Sequence, residues 1–126
     1  MGQTYDVTFD LKVKDRQKLI DELNAFIDET NGKSINWDID NTDRTSLNSL
    51  MKAVITDRGF FSIVEDGNEP AAHFSSAFDA CYGWEGVMMN TFEVMAPFLK
   101  DGSTCEIWPD SGVDRGKVKN GKVVWK

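Results

Sequence analysis

Hydrophobic and polar residues alternate along Thr4-Tyr5-Asp6-Val7-Thr8-Phe9-Asp10-Leu11-Lys12-Val13, so that Tyr5, Val7, Phe9, Leu11 and Val13 share one side. A period of two with one apolar side predicts a half-buried strand. The period then lengthens: Leu19, Ile20, Leu23, Phe26 and Ile27 recur at spacings of three and four. This predicts a helix, with Asp15 as its N-cap and Asn31-Gly32 as a left-handed stop. Alternation returns over 34–39, with Ile35, Trp37 and Ile39 aligned, and predicts a second strand. Leu47, Leu50, Met51 and Val54 form a narrow stripe on a second helix ending near Ile55, for which Asn41-Thr42-Asp43 offers caps. Two strands are expected over 60–64 and 72–78, a hairpin around the turn-rich 65–70.

The most apolar helix is expected over 84–99, carried by Trp84, Val87, Met88, Phe92, Met95 and Leu99. Pro97 removes an N–H near its end and predicts an irregular last turn. Three short strands close the chain, over 104–108, 115–119 and 122–125, the last two joined by Asn120-Gly121, a strong hairpin signal. The order β-α-β-α-β-β-α-β-β-β predicts one α+β domain over residues 1–126, with about three helices and a mixed or antiparallel sheet. A duplicated βαβ unit is also expected, because Phe9-Asp10, Leu23, Phe26 and Ser34 recur 69 positions later as Phe78-Asp79, Phe92, Met95 and Ser103.

Length and composition agree with one domain: 126 residues, 40% hydrophobic, are enough for a single core. No run approaches the roughly 20 apolar residues of a bilayer span, and the start has no signal-peptide pattern, so a soluble cytoplasmic protein is expected. Cys81 and Cys105 lack metal-ligand or CxxC spacing and read as buried free thiols. The net charge of −7 is unevenly placed. Residues 1–114 hold all 21 acids against 9 bases, whereas Arg115, Lys117, Lys119, Lys122 and Lys126 stand in a tail without an acid. Such a body disfavours nucleic acid and anionic membranes and steers toward a basic protein surface.

Candidate chemistry is sparse. Asp38-Ile39-Asp40-Asn41-Thr42 resembles the DxDxT signature of the haloacid-dehalogenase phosphatases, which implies a nucleophilic aspartate after a strand, beside magnesium. The resemblance covers five residues, Asn36 interrupts the apolar run that a buried parallel strand shows, and no later acid pair with flanking glycines follows. With Asp43 the same acids miss the EF-hand pattern, since position six lacks glycine and position twelve is Ser49. No metal and no cofactor are therefore expected. His73 is the sole histidine and falls on the solvent side of its strand with Ser75 and Ala77. Trp37 and Trp84 fall on core faces, but Trp108 shares a side with Thr104 and Glu106 and is a candidate exposed hot spot.

The expected function is a small acidic, non-catalytic protein-binding module that blocks a basic, nuclease-like site. It would use Asp38, Asp40 and Asp43 in one loop, Glu65, Asp66 and Glu69 in another, and Trp108. Inhibitors such as immunity proteins share this size and charge. The alternative is a divalent-metal-dependent hydrolase or phosphotransferase using Asp38 and Asp40. A third expectation is self-association through the basic C-terminal hairpin.

Overall fold

The alternating N-terminal segment becomes β1 (Gln3–Lys12), which buries Tyr5, Val7, Phe9 and Leu11 and turns Thr4, Asp6, Thr8, Asp10 and Lys12 the other way. In the computed structural model, which describes residues 3–33, 35, 37, 39–55, 71–80 and 83–126, β1 is hydrogen-bonded on both sides. One neighbour is β2 (Ala71–Ala80) and the other β3 (Thr104–Trp108), both antiparallel to β1. The sheet continues through β4 (Asp114–Lys119) to β5 (Lys122–Trp125). The order is thus β2-β1-β3-β4-β5, antiparallel throughout. The protein is a single small α+β domain, the class the sequence pattern predicts, and its described residues form three α-helices and this five-stranded sheet, where the predicted order has seven strands.

All three helices, α1 (Arg16–Thr30), α2 (Leu47–Ile55) and α3 (Trp84–Met95), contribute buried side chains to one core on a single side of the sheet. Asp15 caps α1 by accepting the Lys18 N–H, and Gly32 takes a positive φ just after its end. α3 carries the chain from β2 to β3 over the intervening β1, a split βαβ arrangement. Its last turn tightens to a 3₁₀ turn at Ala96–Phe98, where Pro97 interrupts the regular pattern. No helix among the described residues is long and apolar enough to cross a membrane.

Of the strand expected over 34–39, the described residues Ile35, Trp37 and Ile39 form none. Ile35 makes only an isolated bridge to Asn31, and a 3₁₀ turn occupies Ile39–Asn41. The cause is a set of local bonds that fold the segment back on α1. The Asn31 carboxamide oxygen accepts the Trp37 backbone N–H, and the Trp37 indole N–H donates to Thr30 Oγ1 at 2.8 Å. The Trp37 ring then stacks edge-on against Phe26 and Trp84. Only the second half of the expected duplication therefore closes as βαβ. α2 also starts differently: Ser46, not residues 41–43, accepts the Ser49 N–H at its first turn. The strand expected over 60–64, with its connection to β2, lies outside the described residues.

One row of side chains crosses the core side from edge to edge, pairing Phe74, Phe9, Cys105, Gly116 and Trp125 in turn. Phe92 of α3 sits over this row, 5.8 Å from the Phe9 ring centroid and 6.1 Å from that of Trp125. Gly116 makes the second contact possible. A Cβ there would lie 2.7 Å from Cζ3 of Trp125 and 2.9 Å from Val123 Cγ1. At the top of α3, the buried Tyr5 hydroxyl donates to Glu85 Oε2 at 2.6 Å, tying β1 to the helix start. Burial, and then this bond to a carboxylate, push the Tyr5 pKa up to about 12.

Two outcomes follow from these contacts. Gly116→Ala must displace Trp125 and should cost about 1–3 kcal/mol in denaturant unfolding; an unchanged midpoint would show that Trp125 does not depend on the bare backbone there. Because the folded Tyr5 keeps its proton to higher pH than the unfolded chain does, its contribution is complete below pH 10 and is lost as pH rises toward about 12. Wild-type stability should fall by on the order of 2 kcal/mol across that window, and Tyr5→Phe should flatten this part of the stability profile.

Candidate functional site

Because β1 alternates strictly, the side chains that the strands turn away from the core project from one broad open face. Across β2, β1 and β3 this face presents Asp79, Ser75 and His73, then Thr4, Asp6, Thr8 and Asp10, then Trp108, Glu106 and Thr104. Across β4 and β5 it presents Arg115, Lys117 and Lys119, then Lys122, Val124 and Lys126. No helix among the described residues packs against it. Trp108, 42% exposed, and Val124, 52% exposed, are the exposed large hydrophobic side chains among the described residues.

Trp108 is the centre of a small cluster. Its indole N–H donates to Glu106 Oε1 at 2.9 Å, and the Arg115 guanidinium carbon lies 5.2 Å from its ring centroid. Glu106 Oε2 in turn faces Arg115 Nε at 3.7 Å. Asp6 stands directly opposite Trp108 on the neighbouring strand. A guanidinium held over an indole with a carboxylate beside it is a geometry that recognises arginine. The sequence reading places Trp108 among acids; the structure adds Arg115 over its ring, brought there by the pairing of Glu106 with Arg115.

Two recesses lie on this face. A small polar one of about 100 Å³ is lined by Thr8, Asp10, Thr104 and Glu106. A larger groove of about 370 Å³ runs along β3, β4 and β5, with Arg115, Lys117, Lys119, Lys126 and Val124 among its walls. Beside the first recess, His73 Nδ1 is paired with Asp10 Oδ1, across the β1–β2 register. Sequence reasoning missed this pair, because residues 63 positions apart meet only through that register. Among the described residues no serine, threonine or cysteine side chain hydrogen-bonds His73. Cys105 is buried on the core side, where burial first and then Asp114 and Glu106 push its thiol pKa far above the ordinary range. It is no nucleophile at neutral pH.

The acidic loop residues are placed elsewhere. Asp40 is exposed on the Ile39–Asn41 turn. Asp43 accepts both the hydroxyl and the backbone N–H of Thr45, which hold its carboxyl below the usual range. The next residue, Arg44, donates to Asn24 Oδ1 at 2.6 Å and to Asp28 Oδ1 at 2.8 Å, fastening the loop to α1. Asp40 and Asp43 thus belong to the helical side, and Trp108 to the opposite, open side. Asp38, Glu65, Asp66 and Glu69 lie outside the described residues, as does Cys81. Among the described residues no group of three or more His, Cys, Asp or Glu side chains is arranged to hold a metal ion.

Comparisons of the chain with models of known protein families, with curated proteins and with solved structures find no match.

Proposed function

We propose that this chain is a non-catalytic protein-binding module of the inhibitor or immunity type, which takes a basic partner surface on the acidic half of its open sheet face. The observation that carries this reading is the Trp108 cluster: Arg115 already lies over the indole with Glu106 beside both. An arginine from a partner would find the same chemistry on the Asp6 side of the ring. Asp6, Asp10, Asp79 and Glu106 supply the attracting charge, while Thr4, Thr8, Ser75 and Ala77 keep the surface between them low. An exposed tryptophan with acidic neighbours is the residue type and setting in which binding energy concentrates.

Binding of this kind is steered by charge and anchored by one aromatic, so the two contributions separate experimentally. Titrating the protein with an oligoarginine peptide, followed by calorimetry, should show binding that weakens as salt is raised. Trp108→Ala should reduce affinity about tenfold, on the order of 1.4 kcal/mol, and Asp6→Asn should slow association more than it speeds release. Equal affinity for oligoarginine and oligoglutamate, or no loss in Trp108→Ala, would remove the basis of this reading.

A further inference from the structure

The open face is divided lengthwise by charge. On β2 and β1 it carries Asp79, Asp6 and Asp10, with His73 beside Asp10 and Lys12 at the end of β1; on β4 and β5 it carries Arg115, Lys117, Lys119, Lys122 and Lys126; β3, with Trp108, Glu106 and Thr104, runs between. Of the 16 acids and 13 bases among the described residues, four acids and six bases, counting Lys12, project from this face. Among the described residues the surplus negative charge that would keep two copies apart therefore lies off it. Lys117, Lys119 and Lys126 form no ion pair among the described residues, although they line the 370 Å³ groove.

We infer that the open face is self-complementary and that its occupant, in the absence of another partner, is a second copy of this chain. A two-fold axis along β3, in the plane between two facing sheets, lays β4 and β5 of each copy over β1 and β2 of the other. Asp10, Thr104 and Lys117 stand in one row across the sheet, so the operator brings Lys117 of each copy over Asp10 of the other. It also places the two Trp108 side chains beside the axis. Packed sheets lie about 10 Å apart and cross at about −30°, which leaves room for these side chains to interdigitate. Five strands span about 24 Å, and the rows shared by most of them about 17 Å, so the two faces bury on the order of 800 Å² in total. That is the size of a weak, reversible assembly. The inference rests on the reading of the acidic half as a cation-seeking surface, and makes a basic partner a competitor of the dimer.

Mass measured by sedimentation should rise from one chain toward two with micromolar concentration at low salt. Raising salt from about 0.01 M to about 1 M, which shortens the screening length from about 30 Å to about 3 Å, should weaken the dimer at least about tenfold. Two charge-reversed variants provide the decisive arm. Asp6→Lys with Asp10→Lys makes the face predominantly basic, leaving Asp79 and Glu106 as its acids, and Lys117→Glu with Lys126→Glu makes it predominantly acidic. Each alone should stay monomeric and folded by circular dichroism, and an equimolar mixture should restore a dimer. A wild-type chain that remains monomeric at low salt and millimolar concentration, or variants that dimerise as well alone as mixed, would overturn the inference. The Lys117→Glu, Lys126→Glu variant keeps Asp6, Asp10 and Trp108, so its affinity for oligoarginine reads the basic-partner proposal separately. Oligoarginine binding without a wild-type dimer defeats only the self-association; a dimer without oligoarginine binding defeats only the partner reading.

Discussion

The fold depends on the pairing of β1 on both of its edges. A strand hydrogen-bonded on both sides cannot slip by one residue without moving Tyr5, Val7, Phe9 and Leu11 from core to solvent, and their combined burial makes that slip prohibitive. Once β1 is set, β2 and β3 follow in antiparallel register, and the row through Phe9 extends to Gly116 and Trp125 at the far side. Phe92 closes that row from α3, and the Tyr5 hydroxyl fixes where α3 begins. The apolar half of the molecule is thus organised around one strand, and the polar half is whatever that strand turns away from the helices.

This division also explains how so acidic a chain can present a mixed surface. The basic residues 115–126 fold as the last two strands, and the pleat directs Arg115, Lys117, Lys119, Lys122, Val124 and Lys126 to the open side, while Gly116, Val118, Val123 and Trp125 face the core. The same pleat brings Asp6 and Asp10 to that side of β1. Charges that are far apart in sequence become columns on either side of β3, the strand that carries Trp108. Arg115 is shared across the boundary, touching both Trp108 and Glu106.

What the sequence makes legible is local. The alternation of residues 4–13, the Asp15 cap, the irregular turn at Pro97 and the Asn120-Gly121 hairpin are each decided within a few residues, and Asn120 and Gly121 adopt the positive φ values of 54° and 75° that such a turn requires. The exposure of Trp108 was legible for the same reason, because alternation along β3 decides it. The segment around Trp37 departs from the expected strand because its apolar period of two is also satisfied by a chain that turns back on a helix. Hydrogen bonds from Asn31 and to Thr30, invisible in a hydrophobic pattern, select that alternative. The Asp10–His73 pair and the guanidinium over Trp108 depend on which strands are neighbours and in what register, and no single segment carries that information. The acidic loop at Asp40 and Asp43 was legible as charge but not as position, since Arg44 and its bonds to Asn24 and Asp28 decide which side of the molecule it joins.

β1 separates a sealed core from an open face that carries Trp108 at the end of its central strand. Hydroxyl-radical footprinting of the dilute monomer, read residue by residue by mass spectrometry, tests it on both sides at once. The account predicts rapid oxidation of Trp108 and His73, with Phe9, Phe74, Trp37 and Trp84 protected. Protection of Trp108 to the level of Trp84, or ready oxidation of Phe9 and Phe74, would contradict it.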